Sequence, residues 1–111
     1  MKKIVLVFIF ILLFSGCSNQ GSSRLDKILD EDNYIVIDVR TEEEYNTGHV
    51  VGALNIPYDE IDEHVDLDKN KTILVYCKSG NRSGTAYTIL KDLGYKVFDL
   101  GAYQDISLEK E

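Results

Sequence analysis

The sequence predicts an α/β domain built on a parallel sheet. Three observations carry that prediction. Two continuous apolar runs rich in β-branched residues, Tyr34–Val39 and Lys71–Tyr76, suit strands buried on both faces. Segments with helical spacing alternate with them, which implies right-handed crossovers between parallel strands. A polar, glycine-containing loop, residues 77–83, leaves the second run and opens a helix, as loops do at the carboxyl edge of such a sheet.

In chain order, Arg24–Asp30 carries Leu25, Ile28 and Leu29 at helical spacing, with Ser23 as its N-cap. Tyr34–Val39 is the first buried strand. Thr41-Glu42-Glu43-Glu44 is a capping box that opens a short helix stopped by Gly48. Ala53–Pro57 reads as a short strand ended by its proline, and Tyr58–Val65 as a short acidic helix. Lys71–Tyr76 is the second buried strand. Ser83–Leu93 is helical, with Ala86, Ile89, Leu90 and Leu93 on one face, and Gly94 closes it. Tyr95–Leu100 is a further strand, and Gly101–Ser107 adds a last turn of helix. No internal repeat is present.

The chain has 111 residues, 44% of them apolar, enough for one small domain with its own core. This composition excludes a disordered chain, a coiled coil and a collagen-like protein. Two cysteines are too few for a disulfide-dense scaffold or a four-cysteine zinc site. Neither His49 nor His64 has a second ligand at metal spacing, so no metal and no cofactor is expected.

Lys2 and Lys3 precede an unbroken apolar run, Ile4–Phe14, followed by Ser15-Gly16-Cys17. Eleven residues rise only about 16 Å as a helix, about half a bilayer core, which suits a signal-peptide core. The segment resembles a bacterial lipoprotein signal, with Phe14 where leucine is usual. That resemblance implies cleavage before Cys17 and acylation of its thiol, palmitate included. The expected organisation is a signal over residues 1–16, the lipidated Cys17 with a flexible tether over 17–23, a domain over 24–107 and a polar tail over 108–111. The protein would sit on the extracytoplasmic face of a bacterial membrane, held there by lipid. Residues 17–111 carry 10 Lys and Arg against 19 Asp and Glu, a net charge of −9. Such acidity disfavours nucleic acid and anionic headgroups as partners.

Cys77-Lys78-Ser79-Gly80-Asn81-Arg82-Ser83 carries the chemistry. Successive backbone N–H groups in such a loop converge on an anion, and the helix behind it adds the positive end of its dipole. Lys78 and Arg82 add formal charge. All of these favour thiolate over thiol at Cys77. With Cys17 acylated, Cys77 has no resolving partner, and dithiol cycling needs a second thiol. Sulfur transfer through a persulfide and phosphoryl transfer through a thiophosphate both fit.

The loop resembles the active-site loop of rhodanese-like sulfurtransferases. Ile37-Asp38-Val39-Arg40 with Glu44-Tyr45 resembles that family's first motif, and Gly48-His49 through Gly52 to Pro57 its second. Gly101-Ala102-Tyr103 resembles its closing segment. The resemblance covers residues 24–106 and implies a single-domain, five-stranded parallel sheet flanked by helices. It implies that Cys77 is the catalytic nucleophile and carries a persulfide. A small anionic donor such as thiosulfate supplies the sulfur, and a thiol or cyanide accepts it. The loop residues Lys78, Ser79, Gly80, Asn81, Arg82 and Ser83 would bind the donor and the persulfide. Cysteine phosphatases have one residue more between cysteine and arginine, so the six-residue span from Cys77 to Arg82 favours sulfur over phosphate. A persulfide relay with a partner protein and a non-enzymatic docking module are the remaining alternatives, and a monomer is expected. Asp38 and Arg40 leave a buried strand and are expected to hold the Cys77 loop from behind, with Arg40 pairing with Glu44. His49 is expected to be a packing residue.

Overall fold

The computed structural model describes residues 20–111; the predicted signal, Cys17 and the first part of the tether lie outside the described residues. The chain divides into two units, Met1–Asp32 and Asn33–Glu111.

In the first unit, helix α1 spans Gln20–Glu31. It starts four residues before the predicted Arg24, so Ser23 lies inside the helix and does not cap it. Starting a helix is costly and extending it is cheap, so the amphipathic stretch draws the upstream residues in. Asp32, with φ of 51°, ends it in the left-handed region, and its N–H returns to Leu29 O at 3.1 Å.

The second unit holds a sheet of strands β1 (Tyr34–Asp38), β2 (Leu54–Asn55), β3 (Thr72–Cys77) and β4 (Lys96–Ala102) in the order β2-β1-β3-β4. All three pairings are parallel. The described residues thus give four strands, against the five that the resemblance implies. The central strands β1 and β3 are buried along most of their length, which is what their unbroken apolar runs require.

Side chains alternate across the sheet. Ile37, Val39, Ile73, Val75, Cys77 and Val97 share a core with Ala86 and Leu90 of helix α3 (Asn81–Asp92), joined by Ile61 and Tyr95. Val36, Asp38, Leu74 and Tyr76 have the opposite parity and take the other face. Cys77 is therefore turned toward α3 and its neighbour Tyr76 away from it.

Helix α2 (Glu42–Asn46) carries the predicted capping box: Thr41 Oγ1 accepts the Glu44 N–H at 3.2 Å, and Glu44 Oε1 accepts the Thr41 N–H at 3.0 Å. Other elements differ from the sequence reading. The strand expected over Ala53–Pro57 is reduced to β2, because beyond Asn55 the N–H groups of Ile56 and Tyr58 reach Asp38 O and Val39 O in an irregular continuation. The acidic helix expected over Tyr58–Val65 is only a 3₁₀ turn, Tyr58–Glu60. Asp62 Oδ1 accepts the His64 N–H at 2.8 Å, a side-chain turn that competes with helix. Strand β4 runs two residues past Leu100 through a bulge: Val75 faces Asp99, but Tyr76 faces Gly101. Gly101 has φ of 84°, and its N–H goes to Asp99 Oδ1 at 2.9 Å. The last expected turn is a 3₁₀ turn, Tyr103–Asp105.

The polar segment 108–111 is paired. Val50 and Lys110 form an antiparallel bridge, with His49 N–H to Glu111 O at 2.9 Å and Glu111 N–H to His49 O at 2.8 Å. The extended residues 49–51 offered unpaired backbone groups, and the tail satisfies them.

Candidate active site

Cys77 is the last residue of β3, and it is wholly buried. The chain then turns through Lys78, Ser79 and Gly80 into α3. Gly80 caps that helix with φ of 98°, a conformation that costs any residue with a Cβ. The turn brings the Gly80 N–H to 2.9 Å from Cys77 Sγ. Ser83, buried on the first turn of α3, places its Oγ 3.6 Å from Sγ and 3.1 Å from Gly80 O, and its one proton turns to the sulfur when the thiol ionises.

Burial raises the Cys77 thiol, but hydrogen bonds to the sulfur outweigh it. The Ser83 hydroxyl and the N–H groups of Ser83, Gly80 and Ser79 hold the thiol below its ordinary value. The main-chain donors of Ser79, Gly80 and Ser83 form a collar on one side of the sulfur and favour its charged form. Among the described residues no three His, Cys, Asp or Glu side chains could hold a metal ion.

The remaining loop side chains stand differently. Lys78, Ser79 and Asn81 are exposed. Arg82 bonds its terminal nitrogens to Glu44 and acts on Cys77 through charge. Nη1 lies 2.8 Å from Glu44 Oε1 and Nη2 3.2 Å from Glu44 Oε2. The side chains are 27% and 28% exposed. Arg82 and the capping hydrogen bonds together hold Glu44 well down, at about 2, and Glu44 raises Arg82 in turn.

The expected pairing of Arg40 with Glu44 is therefore incorrect. Arg40 instead turns back on Asp38: Nε lies 2.9 and 3.0 Å from the two carboxylate oxygens, and Nη2 2.6 Å from Oδ2. Two residues apart at a strand end, the pair closes locally, which leaves Glu44 to Arg82. Arg40 Nη2 also donates to Gly48 O at 2.6 Å, and its guanidinium lies 4.3 Å from the centre of the Tyr103 ring.

Asp38 and Arg40 do not touch residues 77–83 through any hydrogen bond of their own; their network reaches Tyr76, the residue before Cys77. The Tyr76 hydroxyl donates to Asp38 Oδ2 at 2.9 Å and accepts the Val50 N–H at 3.0 Å. Tyr76 is fully buried, and burial with the adjacent carboxylate pushes its hydroxyl far up. These bonds tie the ends of β1 and β3 and the segment before β2 together one residue from Cys77. Sequence reasoning missed Tyr76. The available signal was its place in a buried strand in register with Asp38, since two buried polar groups side by side need each other. His49 packs as expected, its ring stacked on Tyr45 at 3.8 Å with Nδ1 2.9 Å from Tyr45 O.

Residues 22–108 match the profile of the Rhodanese-like domain. The thiosulfate sulfurtransferase PspE of Escherichia coli is 45% identical over 78 residues, covering 67% of this chain and 75% of that protein. A solved structure described as rhodanese with anions from E. coli superposes with a TM-score of 0.66 at 43% identity, covering 70% of this chain and 96% of the other. The "Putative sulfur carrier protein YrkF" of Bacillus subtilis is 34% identical over 71 residues, 63% of this chain and 38% of that protein.

Proposed function

This chain belongs to the rhodanese-like domain family, and on that premise we propose that it is a sulfurtransferase that takes sulfane sulfur from thiosulfate on Cys77. The observation that carries the reading is the collar around Cys77 Sγ, with the Gly80 N–H at 2.9 Å and Ser83 Oγ at 3.6 Å. A thiolate held this way needs no general base to become a nucleophile.

In the first step the thiolate attacks the outer sulfur of thiosulfate. A new S–S bond forms, the S–S bond of thiosulfate breaks, and its electron pair leaves with sulfite. Cys77 then carries a persulfide with one negative charge. The N–H groups of Ser79, Gly80 and Ser83 serve that charge as an oxyanion hole serves an alkoxide. In the second step an acceptor thiolate attacks the outer sulfur and leaves as a persulfide, and the Cys77 thiolate is restored. Lys78, exposed at the loop, draws the anionic donor in.

Incubation with thiosulfate followed by intact-protein mass measurement tests this reading. One added sulfur is expected on the wild type and none on Cys77→Ala; equal labelling of both proteins would eliminate Cys77 as acceptor. The likeness to YrkF supports a second reading, in which Cys77 relays sulfur from a partner protein. Kinetics that are fast with protein persulfides and negligible with thiosulfate would select it. For residues 1–17 we propose lipoprotein export, with Cys17 acylated. Incorporation of labelled palmitate that Cys17→Ala abolishes is the expected result.

A further inference from the structure

Resting on the sulfur-transfer reading of the Cys77 loop, we propose that Glu44 tunes donor specificity: it occupies the guanidinium of Arg82, so the preference of the site for doubly over singly charged donors is set by the main-chain collar and Lys78 without Arg82. Arg82 is the formal cation nearest the start of α3 in sequence, where a positive side chain opposes the helix dipole. It is stable there because Glu44 meets both terminal nitrogens, at 2.8 and 3.2 Å.

Glu44 is itself held in place. Its Oε1 also takes the Thr41 N–H at 3.0 Å and the Thr41 hydroxyl at 3.1 Å. The carboxylate is thus fixed between the start of α2 and the start of α3, and it does not depend on Arg82 alone for its position. An oxyanion that sought Arg82 would have to displace a carboxylate already bonded on two sides. What remains for it is the uncharged N–H collar and the exposed Lys78. A rim of this kind receives a small anion without retaining it, and it lets sulfite depart before the acceptor arrives.

Two donors of the same chemistry separate charge from shape. Thiosulfate carries two negative charges. Methanethiosulfonate carries one, a methyl group replacing an oxygen; the thiolate takes its outer sulfur and methanesulfinate leaves with the bonding pair. The ratio of kcat/KM for thiosulfate to that for methanethiosulfonate is measured for the wild type, Glu44→Gln, Arg82→Gln and Thr41→Ala. Glutamine keeps the capping-box hydrogen bonds while removing the charge. The ratio is expected to rise roughly two- to fivefold in Glu44→Gln, the range for one partly exposed charge pair. It is expected to fall in Arg82→Gln and to stay at the wild-type value in Thr41→Ala. An unchanged or lower ratio in folded Glu44→Gln would overturn the proposal, as would a Thr41→Ala ratio that moves with it.

A second measurement does not depend on turnover. Sulfate is titrated against the rate of Cys77 alkylation by uncharged iodoacetamide. Half-protection is expected at a several-fold lower sulfate concentration in Glu44→Gln than in the wild type, and equal concentrations would refute the assignment. A wild type inert to both donors would end the sulfur-transfer reading, and the sulfate titration would still decide the effect of Glu44 on anions.

Discussion

Replacing Tyr76 by phenylalanine removes one oxygen from a fully buried network and almost nothing else. The hydroxyl accepts the Val50 N–H at 3.0 Å and donates to Asp38 Oδ2 at 2.9 Å. Asp38 keeps its contacts to Arg40, so its charge stays compensated. Val50 is 3% exposed, and its N–H would be left with no partner in a place water does not reach. An orphaned buried donor costs about 1–3 kcal/mol, and loss of a hydrogen bond to a charged group adds about 1.5. The sum is about 3 kcal/mol, a large part of the stability of a domain this size. Thermal unfolding should show a Tm lower by roughly 10–25 °C. Because Tyr76 faces away from Cys77, kcat/KM for thiosulfate at a temperature where the variant is folded should stay within about twofold of the wild type. A Tm within 2–3 °C of the wild type, by the same scale, would refute the network as a stabilising tie. A large loss of kcat/KM with an unchanged Tm would show that Tyr76 acts on the sulfur and not on the frame.

Asp38→Asn should be more damaging, because it leaves Arg40, 5% exposed, without its carboxylate. A loss of about 3–5 kcal/mol is expected in urea unfolding, and Asp38→Asn combined with Arg40→Met should recover part of it. The Glu44–Arg82 pair contributes stability that is full above the ordinary carboxylate value and is lost as pH falls toward about 2, where Glu44 protonates. The stability gap between wild type and Glu44→Gln should therefore be about 1 kcal/mol near neutrality and close on acidification, as followed by denaturant unfolding at a series of pH values. Gly80→Ala meets no steric neighbour, so its cost is torsional, about 1–2 kcal/mol for a Cβ at φ of 98°. Relaxing that strain draws the Gly80 N–H off the sulfur, and the apparent pKa of the first half-reaction should rise.

Much of this was legible in the residues. The continuous apolar runs of β1 and β3 predicted central parallel strands, and a cysteine leaving such a strand into Lys-Ser-Gly-Asn-Arg-Ser predicted a loop with converging N–H groups. Thr41 and Glu44 announced their capping box. Local signals failed where tertiary pairing decided. Glu44 lies four residues from Arg40 in sequence, yet its partner is Arg82, brought near because β1 and β3 are neighbours. Arg40 had a nearer carboxylate in Asp38, and no periodicity distinguishes the two choices. The bulge at Gly101 and the pairing of Lys110 with Val50 also depend on strand neighbours, so a linear reading leaves 108–111 as a tail. The acidic stretch after Pro57 read as helix by composition, and the turn made by the Asp62 side chain is a local competitor that composition does not weigh.

The most direct test is a pH titration of the Cys77 thiolate by its ultraviolet absorbance, in the protein lacking Cys17 and in the Ser83→Ala variant. The collar described above requires an ionisation below the ordinary thiol value, moved upward when the Ser83 hydroxyl is removed. An ionisation at or above the ordinary value in the parent protein, or one indifferent to Ser83, would contradict it.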